Sequence, residues 1–237
     1  MHEVVLPLKN LTKAKSRLRG VLNDQVRSAL VVAMAEDLIE ILAQQSWVSQ
    51  ISVVAGEHWD FRRLRDLGAK VIHEHLLHGN GLNDLLTSAL QHCEGSQVLI
   101  VHGDLPFLNH CELVQLGAVL QRHSAVICPD RAGIGTNALK VTQGRQPRLQ
   151  FGEQSFAKHK HEVAAKTQDW TIHDTPGLAR DIDRESDLAA LLATPENHRN
   201  LGPRTRLWVR QHRDSCALSL IRSLSKNRRH GLQVSVA

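Results

Sequence analysis

Short apolar runs alternate along the chain with longer stretches whose apolar residues recur every three or four positions. Glu3–Leu8, Ile51–Ala55, Ala69–His73, Gln97–His102 and Ala125–Cys128 are rich in Val, Ile and Leu, the mark of buried strands. Between the first two, Asp24–Gln45 sets Val26, Ala29, Leu30, Ala33, Met34, Leu38, Ile41 and Leu42 on one side of a long helix that Asn23 or Asp24 would cap. His58–Leu67, Leu82–Cys93 and Cys111–Gln121 read as shorter helices. This β-α-β-α-β-α-β-α-β order predicts an α/β fold, a mainly parallel sheet with helices on both faces.

Past Cys128 the order loosens. Ala138–Thr142 and Trp170–Asp174 read as strands, Gln154–Lys166 and Arg184–Ala193 as helices. After Pro195 the composition shifts. Arg206–Ser225 predicts one basic amphipathic helix with Leu207, Ala217, Leu218, Leu220, Ile221 and Leu224 on its apolar side. The expected organisation is one domain over residues 1–194 and a basic extension over 195–237.

Charge sharpens that division. The net charge is +5, yet nine lysines and arginines face two acids after Pro195, so the preceding body is slightly acidic. Aromatics make up 3% with no Tyr, which leaves little to stack on nucleobases and makes a nucleic-acid partner an unfavoured expectation. Cys93, Cys111, Cys128 and Cys216 are scattered with no C-x-x-C pair, as expected of free thiols buried in a reducing compartment. MHEVVLPLK enters a strand pattern at once, and no apolar run approaches a bilayer's thickness, so a cytoplasmic protein with no membrane partner is expected. A homodimer is compatible with the sequence, which does not specify one.

GIGTNA, residues 133–138, matches the spelling G-x-G-x-x-A of a dinucleotide-binding turn. Such a turn should open a helix in the first βαβ unit. This one lies late in the chain, and the following ALKVT alternates as a strand does, so the glycines serve another turn.

Ligands of open α/β sheets gather outside the carboxyl ends of the strands. Asp104 follows the run QVLIVHG there, and Asp181-Ile182-Asp183 would turn two carboxylates to one side while Ile182 faces the core. The first has a plain alternative as a turn residue, the second as the cap of the next helix. Three such carboxylates are the hard oxygen donors that Mg²⁺ prefers. PLKNLTKAKSRL places Lys9, Lys13, Lys15, Arg17 and Arg19 after the first strand, either a solvated face or a phosphate clamp. GIGTN, FGEQSF and HGNGLND are small-residue turns that bring backbone amides close to an anion, with Thr136 and Ser155 adding hydroxyls. No G-x-S-x-G elbow or H-E-x-x-H pair is present, so phosphoryl or nucleotidyl transfer suits the set best.

PLKNLTKAKSRL, GNGLN, GDLPFL, PDRAGIGTNAL, FGEQSF and ARDIDRESDL, in that order between Val4 and Leu192, resemble the CofC-type guanylyltransferases. The resemblance implies a single nucleotide-diphosphosugar-transferase-like, Rossmann-like domain. It also implies a reaction in coenzyme F-420 biosynthesis that joins GTP to a phosphorylated three-carbon acid and releases pyrophosphate. By position, Asp104, Asp181 and Asp183 would hold Mg²⁺, and Lys9, Lys15 and Arg17 would bind phosphates. Thr136, Gly152 and Ser155, with Gly135 and Asn137 of the same turn, would hold the acid, and Gly81 and Asn83 would lie near guanine. Among the acids, 3-phospho-D-glycerate and phosphoenolpyruvate are slightly favoured over 2-phospho-L-lactate. Ile134 stands where the family often has a small or hydroxyl residue, and His102 is an unusual neighbour for Gly103-Asp104. Sugar and molybdopterin nucleotidyltransferases are disfavoured, because no glycine precedes Gly20. A binding module acting through the basic tail, and a GTP-binding regulator without catalysis, are the rival classes.

Overall fold

The computed structural model describes residues 1–8, 10–144, 146–195 and 198–233, with side chains through Ser223 in the last helix. Lys9 and Leu224 lie outside these described side chains. Seven strands form one sheet: β1 (His2–Leu8), β2 (Val48–Ala55), β3 (Ala69–His73), β4 (Gln97–Val101), β5 (Ala125–Pro129), β6 (Thr136–Thr142) and β7 (Trp170–Ile172). Their order is β3-β2-β1-β4-β6-β5-β7. Only β6 runs against its neighbours β4 and β5, so the sheet is mixed and mainly parallel.

The period of two along the strands sorts the core. Val4, Leu6 and Leu8 pack with α1 (Asp24–Ala43), α2 (Phe61–Asp66) and α4 (His110–Arg122) on one face. Val5 points the other way, toward Leu86, Ala89 and Leu90 of α3 (Leu82–Leu90) and Val163 of α5 (Ser155–Lys166). A third cluster joins α1 to α6 (Glu185–Ala193) and α7 (Pro203–Gln233).

Several boundaries differ from expectation for local reasons. Asn23 caps α1, its side chain accepting from Val26 N at 2.9 Å. The helix expected over His58–Leu67 begins only at Phe61, because Asp60 accepts from the amides of Arg62 and Arg63 and so starts it there. The strand expected over Trp170–Asp174 ends at Ile172.

The tail helix is longer than expected, and its apolar side lies partly elsewhere. Of the expected apolar side, Leu220 is buried as predicted, whereas Leu207, Leu218 and Ile221 are exposed and Trp208, Val209 and Cys216 are buried in their place. Specific anchors fix that rotation. Asp37 of α1 accepts from the amides of Arg204 and Thr205 and so caps α7, and Trp208 Nε1 donates to Val26 O at 3.0 Å. Cys93, Cys128 and Cys216 are buried free thiols as expected, while Cys111 is exposed. Among the described residues no helix is long and apolar enough to cross a membrane.

Candidate active site

Asp104 stands three residues beyond the carboxyl end of β4. Its carbonyl accepts from Ile182 N at 3.3 Å, which draws the extended segment 181–183 alongside. Ile182 is buried with the α1–α6 cluster, as its alternation with the two aspartates requires. One carboxylate oxygen each from Asp104, Asp181 and Asp183 then lie within 4.8 Å of one another. Asp183 is not a helix cap: Arg184 holds that place, and Asp187 accepts from the amides of both Asp183 and Arg184.

Lys15 enters this cluster from the loop after β1. Its ammonium bonds to Asp104, and to Asp183 Oδ1 at 2.6 Å, while Arg17 reaches Asp183 Oδ2 at 3.3 Å. Burial opposes the charge on Lys15, but Asp104 and Asp183 outweigh it and hold its pKa above the ordinary lysine value. Asp181 moves up to about 6, first by burial and then by repulsion from Asp104 and Asp183. An ammonium already seated on two of the three carboxylates shows that the donor set attracts a compact cation, and three such oxygens suit Mg²⁺.

The loop that carries Lys15 is held from below. Asn10 accepts from the amide and hydroxyl of Thr12, at 3.0 and 2.8 Å. Arg27, wholly buried in α1, donates to Ala14 O and to Thr12 O and pairs with Asp24. Lys15 itself adopts a left-handed backbone, φ 51°, uncommon outside glycine. The only other described non-glycine residue in that region is Gln154, φ 58°, at the start of α5. Strain of this kind persists where the surroundings over-determine it, and both cases fall at the site. Nothing in the sequence distinguished Arg27 or Gln154.

A second group of residues forms a cradle. In the GIGTN turn, Asp130 Oδ1 accepts from Ile134 N at 2.8 Å, and a Cβ on Gly135 would come within 2.7 Å of Asp130 Oδ2. Phe156 N donates to Ile134 O at 3.0 Å, bringing this turn onto the start of α5, where Ser155 is buried. Gly152 has φ 115°, open to glycine, and its carbonyl accepts from Ser155 N. His159 lies on α5 four residues beyond Ser155, on the same face. Its Nδ1 sits 3.0 Å from Thr136 Oγ1 and its Nε2 accepts from Gln150 N at 3.0 Å. Burial first, then the fields of His102 and Lys158, lower the His159 pKa to about 4. The side-chain amide of Asn137 donates to Leu178 O at 2.9 Å, and its backbone carbonyl accepts from His102 N at 3.0 Å. These two bonds tie the turn to the end of β4 and to the segment before residue 181.

Gly81 and Asn83 line a larger cleft of about 610 Å³ between α3 and residues 146–151. Asn83 takes both backbone groups of Phe151, accepting from its amide at 2.7 Å and donating to its carbonyl at 3.0 Å. Leu82 lines this cleft and also the smaller pocket around Lys15 and Asp104, so the two adjoin. The structure thus gathers Asp104, Asp181, Asp183, Lys15 and Arg17 at one centre. It sets Thr136, Gly135, Gly152 and Ser155 in the cradle and Gly81 and Asn83 in the cleft.

A mixed sheet with a cationic loop after its first strand and a carboxylate centre beyond its fourth defines a nucleotide-diphospho-sugar-transferase-like nucleotidyltransferase. The family model described as "Guanylyl transferase CofC like" matches residues 2–213, and the chain belongs to that family. It is 31% identical over 206 residues to the phosphoenolpyruvate guanylyltransferase of Streptomyces coelicolor, covering 85% of this chain and 92% of that one. It is 34% identical over 193 residues to the protein of the same name from Mycolicibacterium gilvum, covering 79% and 87%. The fold is similar to that of a protein from Desulfovibrio desulfuricans G20 described as a nucleotide-diphospho-sugar transferase. The TM-score is 0.70 at 18% identity, over 92% of this chain and 99% of that one.

Proposed function

We propose that this guanylyltransferase joins GTP to phosphoenolpyruvate, with Mg²⁺, in coenzyme F-420 biosynthesis. A phosphate oxygen of the acid attacks the α-phosphorus of GTP, a new P–O–P bond forms, and the bond to the β-phosphate breaks to release pyrophosphate. The observation that carries the reading is the convergence of Asp104, Asp181 and Asp183 on one point, beside Lys15. These three carboxylates would hold Mg²⁺, which supplies neutralisation of charge on phosphoryl oxygens. Lys15 and Arg17, now spent on carboxylates, are placed to turn to phosphates when a nucleotide enters. The cradle of Thr136, Gly152 and Ser155 would orient the acid, and Gly81 at the start of α3 would lie by the base. Phosphoenolpyruvate is preferred among the acids because relatives that cover most of the chain carry that name.

The test is pyrophosphate release from purified protein with GTP, Mg²⁺ and, in turn, phosphoenolpyruvate, 2-phospho-L-lactate and 3-phospho-D-glycerate. Release with phosphoenolpyruvate alone is expected. Release with another acid would reassign the substrate, and none with any acid would remove the reading.

A further inference from the structure

The hydrogen bonds of His159 fix the direction of a hydroxyl in the cradle. A backbone N–H can only donate, so Gln150 N, 3.0 Å from His159 Nε2, requires that nitrogen to be the acceptor. The imidazolium would set two donors against each other there, and so would the tautomer protonated at Nε2. The proton therefore sits on Nδ1, the atom 3.0 Å from Thr136 Oγ1. A hydroxyl that receives a hydrogen bond from Nδ1 cannot return its own proton to it. Among the described residues Thr136 Oγ1 has no second partner, although the residue is 3% exposed. Its proton must be directed elsewhere.

We propose that His159 acts as a positioning residue that turns the Thr136 hydroxyl proton away from the imidazole, so that the cradle presents a hydrogen-bond donor to an acceptor oxygen of the acid at this point. The inference rests on the reading of the cradle as the acid's site and assigns it a hydrogen-bond direction. The Thr136 hydroxyl is left to offer its proton to an acceptor oxygen, as a carboxylate or phosphate supplies, while one of its two lone pairs is taken by Nδ1. The imidazole does not exchange protons with the substrate. Its role is to hold a direction, and the backbone amide of Gln150 holds the imidazole. The Phe151 ring stacks edge-on at 4.7 Å and closes the ring's other side.

Two measurements test this. The ¹⁵N NMR signals of His159 at pH 7, assigned by their loss in His159→Gln, should show a protonated Nδ1 and an unprotonated Nε2. The opposite tautomer or an imidazolium overturns the proposal, whatever acid the enzyme uses. The second is a double-mutant cycle on steady-state kinetics with phosphoenolpyruvate. His159→Gln leaves an oxygen within reach of Gln150 N but nothing at the Nδ1 position, so a merely structural role is largely preserved. It should raise the KM for phosphoenolpyruvate about tenfold with the KM for GTP unchanged, as expected for a weakened hydrogen bond to a charged oxygen. Thr136→Val should do the same, and the double variant should be no worse than Thr136→Val alone. Additive effects, or equal rises in both KM values, would overturn the coupling. If the wild type turns over none of the three acids, the functional reading falls while the NMR result still decides the tautomer.

Discussion

The two halves of the site are built from opposite materials. The carboxylate centre is charged and held by ion pairs: Asp104 and Asp183 on Lys15, Asp183 on Arg17, and Asp181 left raised to about 6 by burial and its like-charged neighbours. The cradle has one carboxylate, Asp130, bracing its turn and is otherwise held by backbone geometry: a glycine at φ 115°, a buried serine, and a histidine depressed to about 4 that keeps its charge out. On the proposed reading the first half exchanges its resident ammonium for a metal ion, whereas the second holds its ligand through fixed dipoles. The two halves should therefore fail differently when perturbed.

The largest difference lies in catalysis. Asp104→Asn or Asp183→Asn removes charge from the metal-binding set and should lower kcat by about 100-fold or more. Far-ultraviolet circular dichroism should stay native, since Lys15 keeps one carboxylate in either variant. Full turnover would take that residue out of the centre. Cradle variants should act mainly on the KM for the acid, so a kcat loss as large in Thr136→Val would dissolve the contrast.

Acidification separates the halves next. His159 has its folded pKa lowered to about 4 from 6.5, so its contribution is present above 6.5 and is lost as pH falls through 4. Asp181 has its folded pKa raised to about 6 from 3.8, so its contribution is present below 3.8 and is lost as pH rises through 6. Across the same window the cradle weakens as the carboxylate centre relaxes. Urea unfolding of the wild type and His159→Gln at pH 7.5, 5.5 and 4.5 isolates the first effect. The variant should lose less stability on acidification, by about 3 kcal/mol at most. Buried His2, also lowered to about 4, remains in both proteins and cancels in the difference. Parallel curves would show that His159 does not stay neutral.

Much of this contrast was legible in the sequence, and unevenly. The charged half could be read because each carboxylate follows a recognisable strand end or alternates around an apolar residue, as Asp181 and Asp183 do around Ile182. The parallel half of the sheet was legible as short continuous runs of Val, Ile and Leu set between helical patterns. The supports were not legible. Arg27 sits among apolar residues of α1 and sends its guanidinium to loop carbonyls thirteen and fifteen positions back, a reach that no local pattern encodes. His159 is one of 15 histidines, and its direction depends on an amide from a separate loop. The tail's apolar side was only partly right, with Leu220 buried but Leu207, Leu218 and Ile221 exposed, because the helix was read as if free. Its rotation follows instead from Asp37 at its start and the buried Trp208, which are tertiary facts.

A smaller effect follows from the ion pairs themselves. In Lys15→Gln the carboxylate centre loses its resident cation, and the three aspartates repel one another without it. The variant should melt lower than the wild type in metal-free buffer. It should also gain more than the wild type from added Mg²⁺, because a ligand at about 100 times its Kd stabilises by about 2.7 kcal/mol. Equal Mg²⁺-induced shifts in Tm would mean that Lys15 and the metal do not share these oxygens.

The smallest expected effect tests whether the halves are joined. Asn83 belongs by sequence to the nucleotide side, yet both ends of its amide are taken by the backbone of Phe151, whose ring packs on His159. An amide committed in this way has little left to offer a base. Its geometry is that of a rivet between the start of α3 and the cradle. Asn83→Ala would leave the Phe151 amide and carbonyl without that partner in a largely buried setting, at a cost of about 1–3 kcal/mol in stability. Because the rivet joins the cleft beside α3 to the cradle, the KM for GTP and the KM for the acid should rise together, by a few-fold each. A rise for GTP alone would return Asn83 to the role of base reader and make the halves independent.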